Sequence, residues 1–228
     1  ICKGIFAGCS NLKKLTVAPE NPNYSSDDAG VLFNKDKTEL MQAIPTFSGD
    51  YTVPDSVVQI HMGAFSGCRG LTGVVLGENV EYIGENAFEF CTNMTSFRMN
   101  DRLVCIGADA FYNCEALTDL RVSATLSEIG EYAFYGCAGL DGVVLPATLH
   151  SLGDWDVGDC TGMTGVVFQG DVPELVGGYV FEGAQDGFHV YHSENAAGWD
   201  GLDLPLRAVK ENAPHYQTPG GVYDEPKD

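Results

Sequence analysis

The sequence predicts an α/β solenoid of 23-residue coils, with a parallel sheet on one face and short helical turns on the other. Three observations predict it. Cys68, Cys91, Cys114, Cys137 and Cys160 are each 23 residues apart. Other apolar columns keep the same register. Within each unit the closing apolar positions alternate, as in a strand with one face inward. A 23-residue unit cannot bury its apolar face alone, so each coil must pack on its neighbours.

Each element of the unit follows from its residues. One column is Ile60, Ile83, Ile106, Ile129, Leu152 and Leu175. A second is Phe65, Phe88, Phe111 and Phe134, continued by Val157. Leu71, Met94, Leu117, Leu140 and Met163 form a third. Val74, Phe97, Leu120, Val143 and Val166 form a fourth, and Leu76, Met99, Val122, Leu145 and Phe168 a fifth. The L-x-x-V-x-L stretch, such as Leu140 to Leu145, is the expected strand. The A-F-x-x-C stretch, such as Ala133 to Cys137, is the expected single turn of helix. Acids at Glu85, Glu131 and Asp154 suit a helix start, where negative charge is favoured. Pro146 closes its strand because proline cannot donate to a ladder.

The register reappears upstream, where Ile1, Phe6, Cys9, Leu12, Leu15 and Val17 match Ile60, Phe65, Cys68, Leu71, Val74 and Leu76. Residues 18–56 are an irregular longer excursion. Val31 to Phe33 and Glu39 to Ile44 read as two strands joined by a turn at 34–37, and Tyr51 to Val53 rejoins the stack. The solenoid is expected over 1–187. Residues 188–209 break the pattern and read as a cap, since terminal repeats must cover the open end of the core. Residues 210–228 are rich in proline, glycine and charge, and read as a linker-like tail.

"VEYIGENAFEFCTNMTSFRM" and "LSEIGEYAFYGCAGLDGVVLP" resemble the BspA-like leucine-rich repeat, over residues 1 to about 181. "NPNYSSDDAGVLFNKDKTELMQAIP" resembles the longer coil such proteins carry, and "AAGWDG" their C-terminal end. The resemblance implies a right-handed superhelix. It also implies a secreted or cell-surface bacterial protein with a role in adhesion and in host or matrix binding. Trp155-Asp156-Val157 departs from the usual aromatic pair, which implies a looser or locally specialised coil.

Composition narrows the partners. The net charge is −20, from 32 acids against 12 bases. Nucleic acid and anionic membrane surfaces would repel such a chain. Between Arg121 and Arg207 there is no Lys or Arg, yet that span holds 13 acids. No apolar run approaches the ~20 residues that span a bilayer. The start at Ile1, without a signal pattern, reads as a fragment or processed piece.

Six of the eight cysteines, counting Cys9, share one inward column. There Cys behaves as a small hydrophobe, so reduced buried thiols are expected rather than bridges. Cys2 and Cys105 lie off the column. No nucleophile, phosphate-loop or dinucleotide motif is present. The chain reads as non-enzymatic, with no cofactor. His189 and His192 are the closest histidine pair, but odd spacing on a strand puts them on opposite faces, against a shared metal. Asp154, Asp156 and Asp159 crowd one coil, and Asp27 and Asp28 sit beside Glu20. Neither group has the register of a Ca²⁺ loop, so a solvated acidic edge is the favoured reading of both.

The repeat also predicts an outward surface. One outward column is Lys14, Gly73, Ser96, Asp119, Gly142 and Gly165; the other is Thr16, Val75, Arg98, Arg121, Val144 and Val167. Arg98 and Arg121 should lie side by side, a like-charge pair that costs stability. Asp119 offsets part of that repulsion. The simple reading is a solvated face with Arg stems covering apolar surface. The functional reading is a binding strip in which two forked cations grip a carboxylate or sulfate, flanked by Val75, Val144 and Val167. The expected partner is a protein or other extracellular macromolecule bound by a monomer. A structural spacer and a glycan-binding ancillary module are the alternatives. Aromatic side chains, the usual sugar platform, are absent from this strip.

Overall fold

In the computed structural model, residues 5–6, 9–154, 159–175, 186–200, 202 and 206–209 are described. They form a stack of coils with two walls of strands and a third wall of turns. The first wall is a nine-stranded sheet. It starts with β1 (Tyr24–Ser26), β2 (Leu32–Asn34) and β3 (Glu39–Gln42), which pair antiparallel within the excursion. Two-residue strands then stack in parallel at the Ile column. They are β5 (Gln59–Ile60), β7 (Tyr82–Ile83), β9 (Cys105–Ile106), β11 (Glu128–Ile129), β13 (Ser151–Leu152) and β15 (Glu174–Leu175).

The second wall follows the L-x-x-V-x-L segments but is split in two. One half holds β4 (Ser48–Thr52), β6 (Gly70–Val75), β8 (Ser96–Arg98) and β10 (Asp119–Arg121). The other holds β12 (Gly142–Leu145), β14 (Gly165–Phe168), β16 (His189–Ser193) and β17 (Leu206–Val209). The strands expected near 31–33 and 39–44 form as β2 and β3, and the turn between them places Lys37 at φ 55°. β4 rejoins the stack across 48–52. The short β1 has no counterpart among the sequence expectations.

The third wall corrects the expected α/β class. Every regular element among the described residues is a strand, and the A-F-x-x-C segments are not helical. Their backbone N–H groups alternate in direction. Gly63, Phe65 and Gly67 donate to Glu85, Ala87 and Glu89 of the next coil at 2.7–2.8 Å. Ala64, Ser66 and Cys68 donate back within their own coil to His61, Gly63 and Phe65. A helix would turn all of these donors inward. Here the neighbouring coil offers carbonyls at ladder distance, so every second donor crosses. The alternation requires left-handed residues at regular places, namely Asn86, Phe90, Asp109, Asn113 and Tyr132 with φ of 54–59°.

The core follows the expected columns, except that Val122 of the fifth is only partly buried. Phe65, Phe88, Phe111 and Phe134 stack face to face with centroids 5.3, 5.4 and 5.1 Å apart. Phe97 stands edge-on to Phe88 and Phe111. The column thiols from Cys68 to Cys160 are free and buried, whereas Cys9, expected to be buried with them, is exposed. Each Sγ–H donates to a carbonyl of the coil before, as from Cys91 to Phe65 and from Cys114 to Phe88, at 3.3 and 3.2 Å. Burial pushes the Cys68 thiol up to about 12 and the Cys91, Cys114 and Cys137 thiols well above the usual range. Cys2 lies outside the described residues.

Glycine after the isoleucine column has a steric cause. A Cβ on Gly84 would lie 2.6 Å from the backbone N of Met62, and one on Gly107 as close to that of Glu85. At one end Phe47 and Tyr51 cover Phe65. At the other, the buried Trp199 lies against Phe168 and stacks on His192.

Candidate interaction face

In the second outward column Val75, Arg98 and Arg121 are exposed and Val144 and Val167 half-buried, whereas Gly73, Gly142 and Gly165 of the first column are buried. Arg98 and Arg121 are paired in register on β8 and β10, with Val75 beside Arg98 on β6. Each cation faces an acid. Arg98 meets Asp119 at 3.2 Å, Arg121 meets Asp101 at 3.7 Å, and Arg102 meets Glu81 at 3.7 Å. All three arginine side chains are more than half exposed. Surface pairs of this kind contribute at most about 1 kcal/mol, so an incoming anion can replace these acids at low cost. Arg102, Asp101 and Glu81 lie just outside the strand segments, where the strand pattern carries no signal for them.

The valine track is not continuous. Val144 and Val167 pair with each other on β12 and β14, but no pairing joins β10 to β12. One break in a side-chain column falls at this junction. A column of Thr72, Thr95, Thr118 and Thr164 runs beside this wall, with Asp141 between the last two. Thr95 and Thr118 donate both backbone N–H and hydroxyl to the carbonyl of the coil before, at 2.8–3.3 Å. Thr164 does the same to Asp141. A carboxylate only accepts, so Asp141 cannot repeat the contact with Thr118, and its N–H makes no such bond among the described residues.

Further along the strand the effect persists. Leu76 N–H reaches the Arg98 carbonyl at 3.0 Å and Met99 N–H the Arg121 carbonyl at 3.1 Å. Val122 N–H makes no matching bond to Val144. The gap is a cavity of about 200 Å³ lined by Arg121, Val122, Ser123, Val144, Pro146 and Gln169, among others. Ser123 is 1% exposed and hydrogen bonds to Thr125 at 2.8 Å.

The other candidates separate. His189 lies on the face of β16 opposite His192, which is buried against Trp199. Asp27 accepts from Val31 N–H at 2.8 Å and from the Tyr51 hydroxyl at 2.6 Å, so it ties the excursion to the stack. Burial first, and then this hydrogen bond, raise the Tyr51 hydroxyl above its ordinary range. Asp159 accepts from the Tyr135 hydroxyl. Trp155, Asp156 and Val157 lie outside the described residues. No group of three metal-ligating side chains occurs among the described residues.

One feature was not read from the sequence. On the turn wall, Phe90 meets Tyr112 edge-on, and Tyr112 stacks on Tyr135 at 4.8 Å. Phe90 and Tyr132 are 37% and 38% exposed. The aromatic residues in the x-x positions of A-F-x-x-C were the available signal.

Comparison with known proteins fits this architecture. The BspA type leucine rich repeat region matches residues 49–185 in six copies. The chain belongs to that family. Among solved structures, the leucine-rich repeat protein of T. pallidum is 25% identical, over 63% of this chain and 67% of its own, with a TM-score of 0.54. The pneumococcal vaccine antigen PcpA is 21% identical over 87% of this chain, with a TM-score of 0.70. A leucine-rich cell surface protein of Faecalibacterium prausnitzii is 22% identical over 74% of this chain, with a TM-score of 0.67. This chain spans 49% and 45% of the latter two, whose likeness shows the fold alone. No curated protein matches.

Proposed function

We propose that this chain is a non-catalytic interaction module of a bacterial surface protein, binding an extracellular macromolecule through the outer face of the split wall. The observation that carries the reading is the placement of cations. Arg98, Arg102 and Arg121 are the only Lys or Arg between residues 70 and 206; Arg98 and Arg121 share this face, and Arg102 lies beside Arg121 at its edge. In an otherwise acidic chain they form a local attractor for carboxylate or sulfate groups. Val75, 44% exposed beside Arg98, adds apolar contact. Surface location is supported by the likeness to the leucine-rich cell surface protein of Faecalibacterium prausnitzii.

The test is capture from host matrix and glycan pools with the native chain and an Arg98→Ala/Arg121→Ala variant. Loss of the captured partner in the variant supports this face. Capture unchanged by the variant moves the site elsewhere. A second reading, glycan binding on the opposite side, is favoured by the Phe90–Tyr112–Tyr135 ladder. Retained glycan capture by the arginine variant, lost in Phe90→Ala/Tyr132→Ala, would select it. No selective capture at all would leave the structural spacer.

A further inference from the structure

We propose that the breach between β10 and β12 is a pocket for the C-terminal residue of a partner polypeptide, its carboxylate held by Arg121 and the Val122 N–H. The proposal rests on the interaction-face reading above and locates one anchor within that face.

The chemistry of the lining is one-sided. The polar residues in the lining are Arg121, Ser123 and Gln169; the Arg121 guanidinium also meets Asp101 at 3.7 Å, and the Ser123 hydroxyl is buried against Thr125. No carboxylate is among the lining residues. A lining that holds one cation and no acid fits an anion, which would take the place of the exposed Asp101 beside Arg121. Val144, Pro146 and Ala124 supply an aliphatic side, which fits a short apolar group attached to that anion. A carboxylate joined to a small aliphatic side chain describes the last residue of a polypeptide. The facing edges of β10 and β12, unpaired with one another, offer further backbone donors and acceptors to its peptide group.

The geometry admits a chain end but not a passing chain. Behind the breach, β9 and β11 remain paired, with Cys105 opposite Glu128 and Ile106 opposite Ile129. Cys137 also donates its thiol to the Phe111 carbonyl across the same junction at 3.2 Å. The two coils are therefore held together at the back and parted at the front. A whole strand needs about 4.8 Å of extra separation along its length, which these contacts deny. The 200 Å³ cavity holds about seven water volumes, the scale of one terminal residue.

Asp141 supplies a test that leaves every lining residue in place. Asp141→Thr restores the missing member of the threonine column and should draw β12 onto β10. The probe is the tripeptide N-acetyl-Gly-Gly-Val as the free acid and as the C-terminal amide, followed through the backbone amide signals of the intact chain. The acid should shift the Val122 signal saturably, and the amide should bind at least about tenfold more weakly. Arg121→Ala and Asp141→Thr should each lose the response, the latter while remaining folded. Equal binding of acid and amide, or native-like binding by Asp141→Thr, overturns the pocket. A captured macromolecule that needs Arg98 and Arg121, with no response to the acid, leaves the face reading standing and removes the pocket. Peptide binding without any captured macromolecule does the reverse.

Discussion

The two strand walls are built from the same 23-residue period, yet one is continuous and the other is split. The first wall runs unbroken from β1 to β15. Its coils touch through backbone, over glycines such as Gly84 and Gly107 that leave no room for a side chain. The second wall is tied along one edge by threonine hydroxyls as well as by backbone. A single acceptor-only residue at Asp141 interrupts that tie. A ladder that depends on side-chain chemistry can be opened by one substitution, whereas a ladder of close-packed backbone can be opened only by a steric intrusion.

Raising the pH is the strongest way to break both walls at once. Cys68, Cys91, Cys114 and Cys137 have folded values above the ordinary thiol value of 9.0. Their stabilising contribution is complete below that value. It is lost as pH rises from there towards the folded values, because only the unfolded chain then releases the protons. Each such thiol lowers stability progressively as pH rises through that window. Under reducing conditions, the melting temperature should be flat to about pH 8 and fall steeply above pH 9. A Cys114→Ala variant should be less stable at neutral pH but lose stability more slowly with pH.

Gly107→Ala attacks the continuous wall alone. Its Cβ would lie 2.6 Å from the Glu85 nitrogen and 2.8 Å from the Gly84 carbonyl carbon. Overpacking against backbone costs about 1–3 kcal/mol, readable as a lower urea midpoint. Asp141→Thr works in the other direction on the split wall. It should add about 1 kcal/mol and slow hydrogen exchange at Val122. If exchange there were unchanged, Asp141 would not be the cause of the breach. The smallest effect belongs to the turn wall, where Phe90 sits at φ 59°. Phe90→Asn, matching Asn113 one coil on, should gain under about 1 kcal/mol by chemical denaturation, the relief of φ outweighing the lost contact with Tyr112.

Much of this was legible in the sequence. The inward columns are buried as read, from Ile60 through Leu152 and from Phe65 through Phe134. The adjacency of Arg98 and Arg121 also follows from the period alone. The helical turns did not form, because a local pattern such as A-F-x-x-C shows what a segment can do by itself. It does not show that carbonyls at Ala87 and Glu89 will accept from Phe65 and Gly67. Asp141 carries no signal in the sequence for the same reason. Its consequence lies in the Thr118 carbonyl, 23 positions earlier.

Sequence by itself determined the period, the identity of the buried columns and the adjacency of Arg98 and Arg121. These depend only on spacing and on which side chains water rejects. Tertiary structure decided which backbone donors cross between coils, that the third wall is turns rather than helix, and that β10 and β12 part. Those outcomes depend on hydrogen-bond partners that one coil supplies to the next, and a donor's choice is settled only when its neighbour is in place.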